Sequence, residues 1–236
     1  MKLRTIFREW LFLKRLIHHQ KLITIYALFV LLFGLLGIGL EIERALVFDH
    51  FGASLFVTFL YFTSQSNLLL TITLLLFLFK KHDNKFVNYL AFITLVNILI
   101  TAIVFHILLV PYMDHINFMH HVLHTINPTL YVIFYFLFYN YKIPINKFWI
   151  ALIYPLIFMG LVYIIIEPFF GDLIEVTVPN YESARYVYPF LDPQNYPRET
   201  LGLIGFTIGL LGPLVTFFSF GLLYLKHKIY HKIHID

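Results

Sequence analysis

Leu22-Ile-Thr-Ile-Tyr-Ala-Leu-Phe-Val-Leu-Leu-Phe-Gly-Leu-Leu-Gly-Ile-Gly-Leu40 is an uncharged apolar run bounded by Lys21 and Glu41. Wound as a helix at about 1.5 Å per residue, it nearly matches the roughly 30 Å of hydrocarbon in a bilayer. Five more stretches repeat the pattern: Leu55–Phe79, Phe86–Val110, Phe118–Tyr139, Phe148–Ile166 and Leu201–Leu225. In lipid, backbone polar groups must be satisfied within the segment, so each stretch is expected to be helical. A membrane barrel would instead show alternating segments of roughly ten residues. The expected fold class is therefore all-α: one polytopic domain over residues 1–236, a bundle of six transmembrane helices.

Composition agrees. Of 236 residues, 60% are hydrophobic and 13% charged, against about 25% charged in an ordinary soluble domain. Cysteine is absent, which removes disulfides and thiol chemistry from consideration. The net charge of +4 is explained by placement. Lys2, Arg4, Arg8, Lys14, Arg15, Lys21, Lys80, Lys81, Lys85, Lys142, Lys147, Lys226, Lys228 and Lys232 fall on one side of the six stretches. Only Arg44, Arg185 and Arg198 fall on the other. Cytoplasmic flanks carry such an excess, so both termini are expected inside a cell membrane, and nucleic acid is not an expected partner. Glu41-Ile-Glu-Arg44 follows the first stretch where a signal cleavage site would need small residues, so that stretch reads as an anchor. Before it, Leu3, Ile6, Phe7, Trp10, Leu13 and Ile17 share a helical face opposite Arg4, Arg8 and Arg15. That pattern predicts an interfacial helix over about 3–18.

The outer segment 167–200 holds half of the ten prolines together with Tyr181, Tyr186, Tyr188, Phe190 and Tyr196. It reads as a loop that caps the bundle. In the last stretch Gly202, Gly205, Gly209 and Gly212 recur at helical spacing, which predicts close backbone packing.

Two stretches carry polar side chains where lipid tolerates them poorly. Thr63-Ser-Gln-Ser-Asn67 lies within the second, and Thr63, Ser66, Asn67 and Thr71 share one face. Any one of them is compatible with helix packing, but five in a row, Gln65 included, point to a cavity. The fourth opens His120-His-Val-Leu-His-Thr-Ile-Asn-Pro128, with His124, Asn127, Pro128, Tyr131 and Tyr135 along one face. Pro128 cannot donate to the carbonyl of His124, so the helix is expected to loosen there. Both helices run inward, and His124 lies roughly 12 Å along its helix, so Thr63 and His124 are expected at similar depth. In the third stretch Thr94, Asn97 and Thr101 share a face. His106, His115, His120, His121 and His124 crowd the outer side, and a zinc site built on the His120/His124 pair is one reading of them.

Three short motifs resemble the androgen-inducible membrane hydrolases and their bacterial six-helix relatives. They are Tyr61-Phe-Thr-Ser-Gln-Ser-Asn-Leu68, His121-x-x-His-Thr125 followed by Pro128, and Tyr186-Val-Tyr-Pro-Phe-Leu-Asp192. Characterised animal members hydrolyse fatty acid esters of hydroxy fatty acids with an intramembrane threonine and histidine. The resemblance therefore implies Thr63 as nucleophile and His124 as base. Two departures are plain: Ser66 stands where animal members have an acid, and His124 lies one residue closer to its proline.

A threonine hydroxyl needs a base within reach, which a neutral His124 supplies. No intramembrane carboxylate is expected to orient the imidazole, since Asp114, Glu167 and Asp192 reach only from the outer surface, which leaves Asn67, Asn127 or a tyrosine. Gln65, Ser66, Asn67, His121, Asn127 and Tyr131 complete the expected polar cavity, with Tyr188 and Asp192 on the cap. The expected function is a lipid ester hydrolase acting on a membrane lipid or fatty acyl ester without a cofactor. The alternatives are a non-enzymatic protein that binds or transports a lipid or solute, and a zinc-dependent lipid hydrolase.

Overall fold

A computed structural model describes residues 19–48, 50–79, 84–113, 115–178 and 183–234. The expected interfacial helix over 3–18 lies outside them, as do Lys80 and Lys81. All regular structure among the described residues is helical. Five helices are long and apolar enough to cross a membrane: α1 (Gln20–Leu46), α4 (Lys85–Leu109), α5 (Phe118–Phe138), α6 (Ile145–Thr177) and α7 (Thr200–Tyr230). A sixth crossing exists if α2 (Phe51–Leu60) and α3 (Phe62–Leu78), which meet at 80°, form one span.

That bend corrects the single straight helix expected over Leu55–Phe79. Tyr61 is extended, with ψ of 138°. One device that accommodates a sharp kink is a side chain inserted into the ladder, and Gln65 does this here. Its amide donates to the carbonyls of Phe59 (3.0 Å) and Leu60 (3.4 Å), two acceptors left free by the end of α2. Tyr154 of α6 in turn donates to the Gln65 oxygen at 2.6 Å.

Gly34 and Gly37 bring α1 into the bundle. A Cβ on Gly34 would stand 2.7 Å from Thr71 Oγ1, and one on Gly37 would stand 2.9 Å from Leu123 Cδ2. The same inward stripe continues to Glu41 and Ala45, both buried. In α7 the glycine stripe does not face another helix: a Cβ on Gly202 would fall 2.3 Å from the Pro197 carbonyl of the chain just before α7, one on Gly212 would fall 3.3 Å from the Thr207 carbonyl of its own helix, and Gly205 and Gly209 face open space.

Segment 167–200 is less of a loop than expected, because Glu167–Thr177 continues α6 as helix. The described remainder folds back on it. Arg185 pairs with Glu167 (3.2 Å), Asp172 (3.1 Å) and Glu175 (3.3 Å), and Tyr163 donates to the Leu191 carbonyl at 2.6 Å. Val187, Tyr188 and Leu191 join Val57, Phe62, Phe158 and Val162 in one apolar cluster. A second, larger cluster joins α1, α3, α4 and α5. The outer faces remain apolar: Ile164 is 70% exposed, Ile208 71% and Phe217 76%.

Candidate active site at the helix break

Thr63 occupies the first turn of α3, just past the break, where helical amides have no partner in their own helix. Its N–H donates to the Tyr188 hydroxyl at 3.3 Å, and its Oγ1 lies 3.3 Å from the same oxygen. Tyr188 is buried, edge-on to Tyr61 and stacked on Phe190. Burial holds its phenol above the ordinary range, opposed by the two bonds with Thr63, so at neutral pH it is an intact O–H. Val187 just before it has φ of 69°, a conformation costly for a β-branched residue. Packing of the buried Val187 side chain holds the loop in that turn.

His124 lies in a π turn, Val122–Ile126. The widening has the cause expected, since Pro128 denies the ladder a donor, and such turns often mark functional sites. The imidazole is buried, stacked 3.8 Å from Phe105, with Nδ1 3.4 Å from the Thr101 carbonyl. A backbone carbonyl and a phenyl ring therefore orient it, in place of the Asn or Tyr expected. The Thr63 hydroxyl bonds Tyr188 and the imidazole bonds Thr101, so the pair shares no hydrogen bond here.

Asn67 connects the two. Its Nδ2 donates to the carbonyls of Thr63 (3.0 Å) and Leu123 (3.4 Å), and its Oδ1 accepts from Asn127 Nδ2 at 2.7 Å. One amide thus ties the Thr63 turn to the turn that carries His124. Ser66 Oγ on α3, Asn97 Oδ1 and Nδ2 and Thr101 Oγ1 on α4, and Asn127 Oδ1 on α5 are buried without a partner. Native interiors leave few such atoms unpaired.

Other expected site residues have different work. Gln65 holds the break. Tyr131 is buried and donates to the Ala91 carbonyl at 3.1 Å, fastening α5 to α4. Asp192 caps a turn within the loop, accepting from Gln194 N at 2.9 Å. His121 is exposed, because a turn widened to i+5 bonding moves it off the His124 face. His120 closes a capping box with Asn117, and His106 Nε2 lies 3.0 Å from Thr125 Oγ1. Among the described residues no three His, Asp or Glu side chains group as a metal site requires.

The expectation of no internal carboxylate is overturned. Helix α1 runs on to Leu46, so Glu41 is enclosed at 2% exposure and accepts a hydrogen bond from Ser64 Oγ, while its second oxygen has no partner. The signal was available: Glu41 falls on the stripe of Gly34 and Gly37 at helical spacing. The apolar run ends at Leu40, and ending the helix there hid it. One turn on, Arg44 Nη2 donates to Thr58 Oγ1 of α2 at 3.3 Å. Arg44, Ser54, Thr58 and Tyr61 line a small cleft beside the break.

By helix length and composition this is the architecture of a multi-pass membrane protein, with a buried polar site at a broken helix. No protein-family model, curated protein or solved structure matches the chain.

Proposed function

We propose that the protein is an intramembrane lipid ester hydrolase, with Thr63 as nucleophile and His124 as general base on an acyl-lipid substrate. In this reading the helices form a six-span bundle with both termini cytoplasmic, and Tyr188 belongs to an outer cap. One observation carries it: the Thr63 hydroxyl stands free of its helix ladder at the break, against the cap, and Asn67 joins its turn to that of His124. Substrate entry displaces Tyr188 from Thr63 and lets the imidazole take the hydroxyl proton. Hydroxyl and base need a contact of about 2.6–3.2 Å, which unliganded sites often lack. The motif resemblance to the androgen-inducible membrane hydrolases supports the same pair, and the lysine and arginine distribution supports the orientation.

The test is labelling of the purified protein by a fluorophosphonate probe, with the modified residue mapped by mass spectrometry. Thr63→Ala and His124→Ala should each abolish labelling. Undiminished labelling of Thr63→Ala would remove Thr63 from the mechanism. Cysteines placed at Asn84 and Asn180 test the orientation, since only the second should react with an impermeant maleimide on intact cells.

A second reading, a lipid or solute carrier, draws on the 80° break and the unpartnered buried polar atoms of α3, α4 and α5, because carriers build their sites at interrupted helices. It requires flux of a solute without turnover, and no probe adduct at Thr63.

A further inference from the structure

Glu41 and Arg44 stand one turn apart on α1 and reach opposite arms of the broken helix. Glu41 accepts from Ser64 in the first turn of α3, and Arg44 donates to Thr58 in the last turn of α2. Tyr61, the extended residue at the bend, lies between those two contacts. Gln65 stitches the ends of the break from inside and accepts from Tyr154 of α6, while Tyr188 meets Thr63. The contacts from α1 add a hold on each arm separately, one on either side of Tyr61. α1 is held against α3 by the Gly34–Thr71 approach, so its next two inward turns form a fixed edge across which the break is drawn.

Glu41 is costly to keep, whereas Arg44 is exposed. An enclosed carboxyl with one oxygen unpartnered is a poor way to gain stability, and apolar replacements of buried charges are often neutral or better. A residue kept at that cost on one side of a bend, with a cation gripping the other side, fits the task of setting an angle. The angle matters because Thr63 is the neighbour of Ser64. The direction of the Thr63 hydroxyl relative to the His124 turn follows from where the first turn of α3 begins.

We infer that Glu41 and Arg44 are positioning residues, a two-pronged clamp that sets the α2–α3 bend and thereby aims Thr63. The catalytic part of this role rests on the hydrolase reading, whereas the clamp itself does not. Two measurements on the full chain separate them. The first uses the natural lack of cysteine. Spin labels at Gly52 and Leu75, exposed positions on the two arms, report the distance across the bend. Glu41→Leu should broaden and shift that distance distribution. Glu41→Gln, which keeps an oxygen for Ser64, should leave it as in the parent. The second is the rate of fluorophosphonate labelling, expected to fall about tenfold in Glu41→Leu and to stay within about twofold in Glu41→Gln, both at an unchanged thermal midpoint.

A residue that merely supported folding would lower the midpoint and leave the labelling rate per folded molecule alone. Should Glu41→Leu fail to fold, Ser64→Ala breaks the same contact from the other side and carries the same expectations. An unaltered bend in Glu41→Leu, or in Ser64→Ala, overturns the clamp. An altered bend with an unaltered labelling rate overturns the aiming role and leaves the hydrolase reading standing. Undiminished labelling of Thr63→Ala overturns the hydrolase reading and the aiming role together, and leaves the clamp to the distance measurement.

Discussion

Gly34→Ala tests whether α1 and α3 are held as closely as described. The added Cβ would lie 2.7 Å from Thr71 Oγ1 and 3.0 Å from Leu70 Cδ2, well inside ordinary contact, so one neighbour must give way. Thr71 can turn only by releasing its 3.0 Å bond to the Asn67 carbonyl, and Leu70 is fully buried in the larger cluster. Overpacking of this kind costs about 1–3 kcal/mol. Against it stands the helix preference for Ala over Gly, at most about 1 kcal/mol. The net expectation is a loss of up to about 2 kcal/mol. Gly39, on the same helix, has nothing within 4 Å of its would-be Cβ, so Gly39→Ala should gain up to about 1 kcal/mol. Unfolding in mixed micelles by titration with denaturing detergent measures both. The reasoning fails if Gly34→Ala unfolds at or beyond the midpoint of Gly39→Ala.

Replacing Asn67 and Asn127 by Leu, singly and together, should reveal a coupling of about 0.6–1.7 kcal/mol, the range for interhelical bonds in membranes; strictly additive losses would deny the 2.7 Å contact any energetic role. Lys226 is enclosed, with Nζ donating to the carbonyls of Tyr135, Phe136 and Tyr139 at the end of α5. Lys226→Met removes a charged cap worth about 1.5–3 kcal/mol, and an unchanged unfolding midpoint would refute the assignment. Gly202→Ala places a Cβ 2.3 Å from the Pro197 carbonyl and should speed proteolysis of the segment around it relative to Gly205→Ala, with equal rates counting against the close approach.

Lys226 shows where reading the chain in one dimension falls short. By sequence it is one of the basic residues flanking the last stretch. In the structure it is drawn inside, because the last turn of α5 presents carbonyls without donors and α7 passes beside it. Gln65 is similar. It reads as one more polar residue in a row, but its side chain is what makes the bend tolerable. Pro128, by contrast, was legible, since a missing N–H acts locally and loosens the turn around His124 whatever else is packed nearby.

The sequence alone determined which segments are helical and apolar, that no cysteine takes part, and which helices carry polar side chains. These follow from local composition and period, which no partner can alter. Only the tertiary structure decided that the second stretch breaks at Tyr61, that Ser64 donates to Glu41, and that Asn67 joins Thr63 to the His124 turn. Each depends on a group distant in the chain: Tyr154 and Tyr188 at the break, Ser64 on Glu41, Leu123 and Asn127 on Asn67. A buried polar atom settles on whichever partner packing brings within reach, and no spacing along one helix encodes that choice.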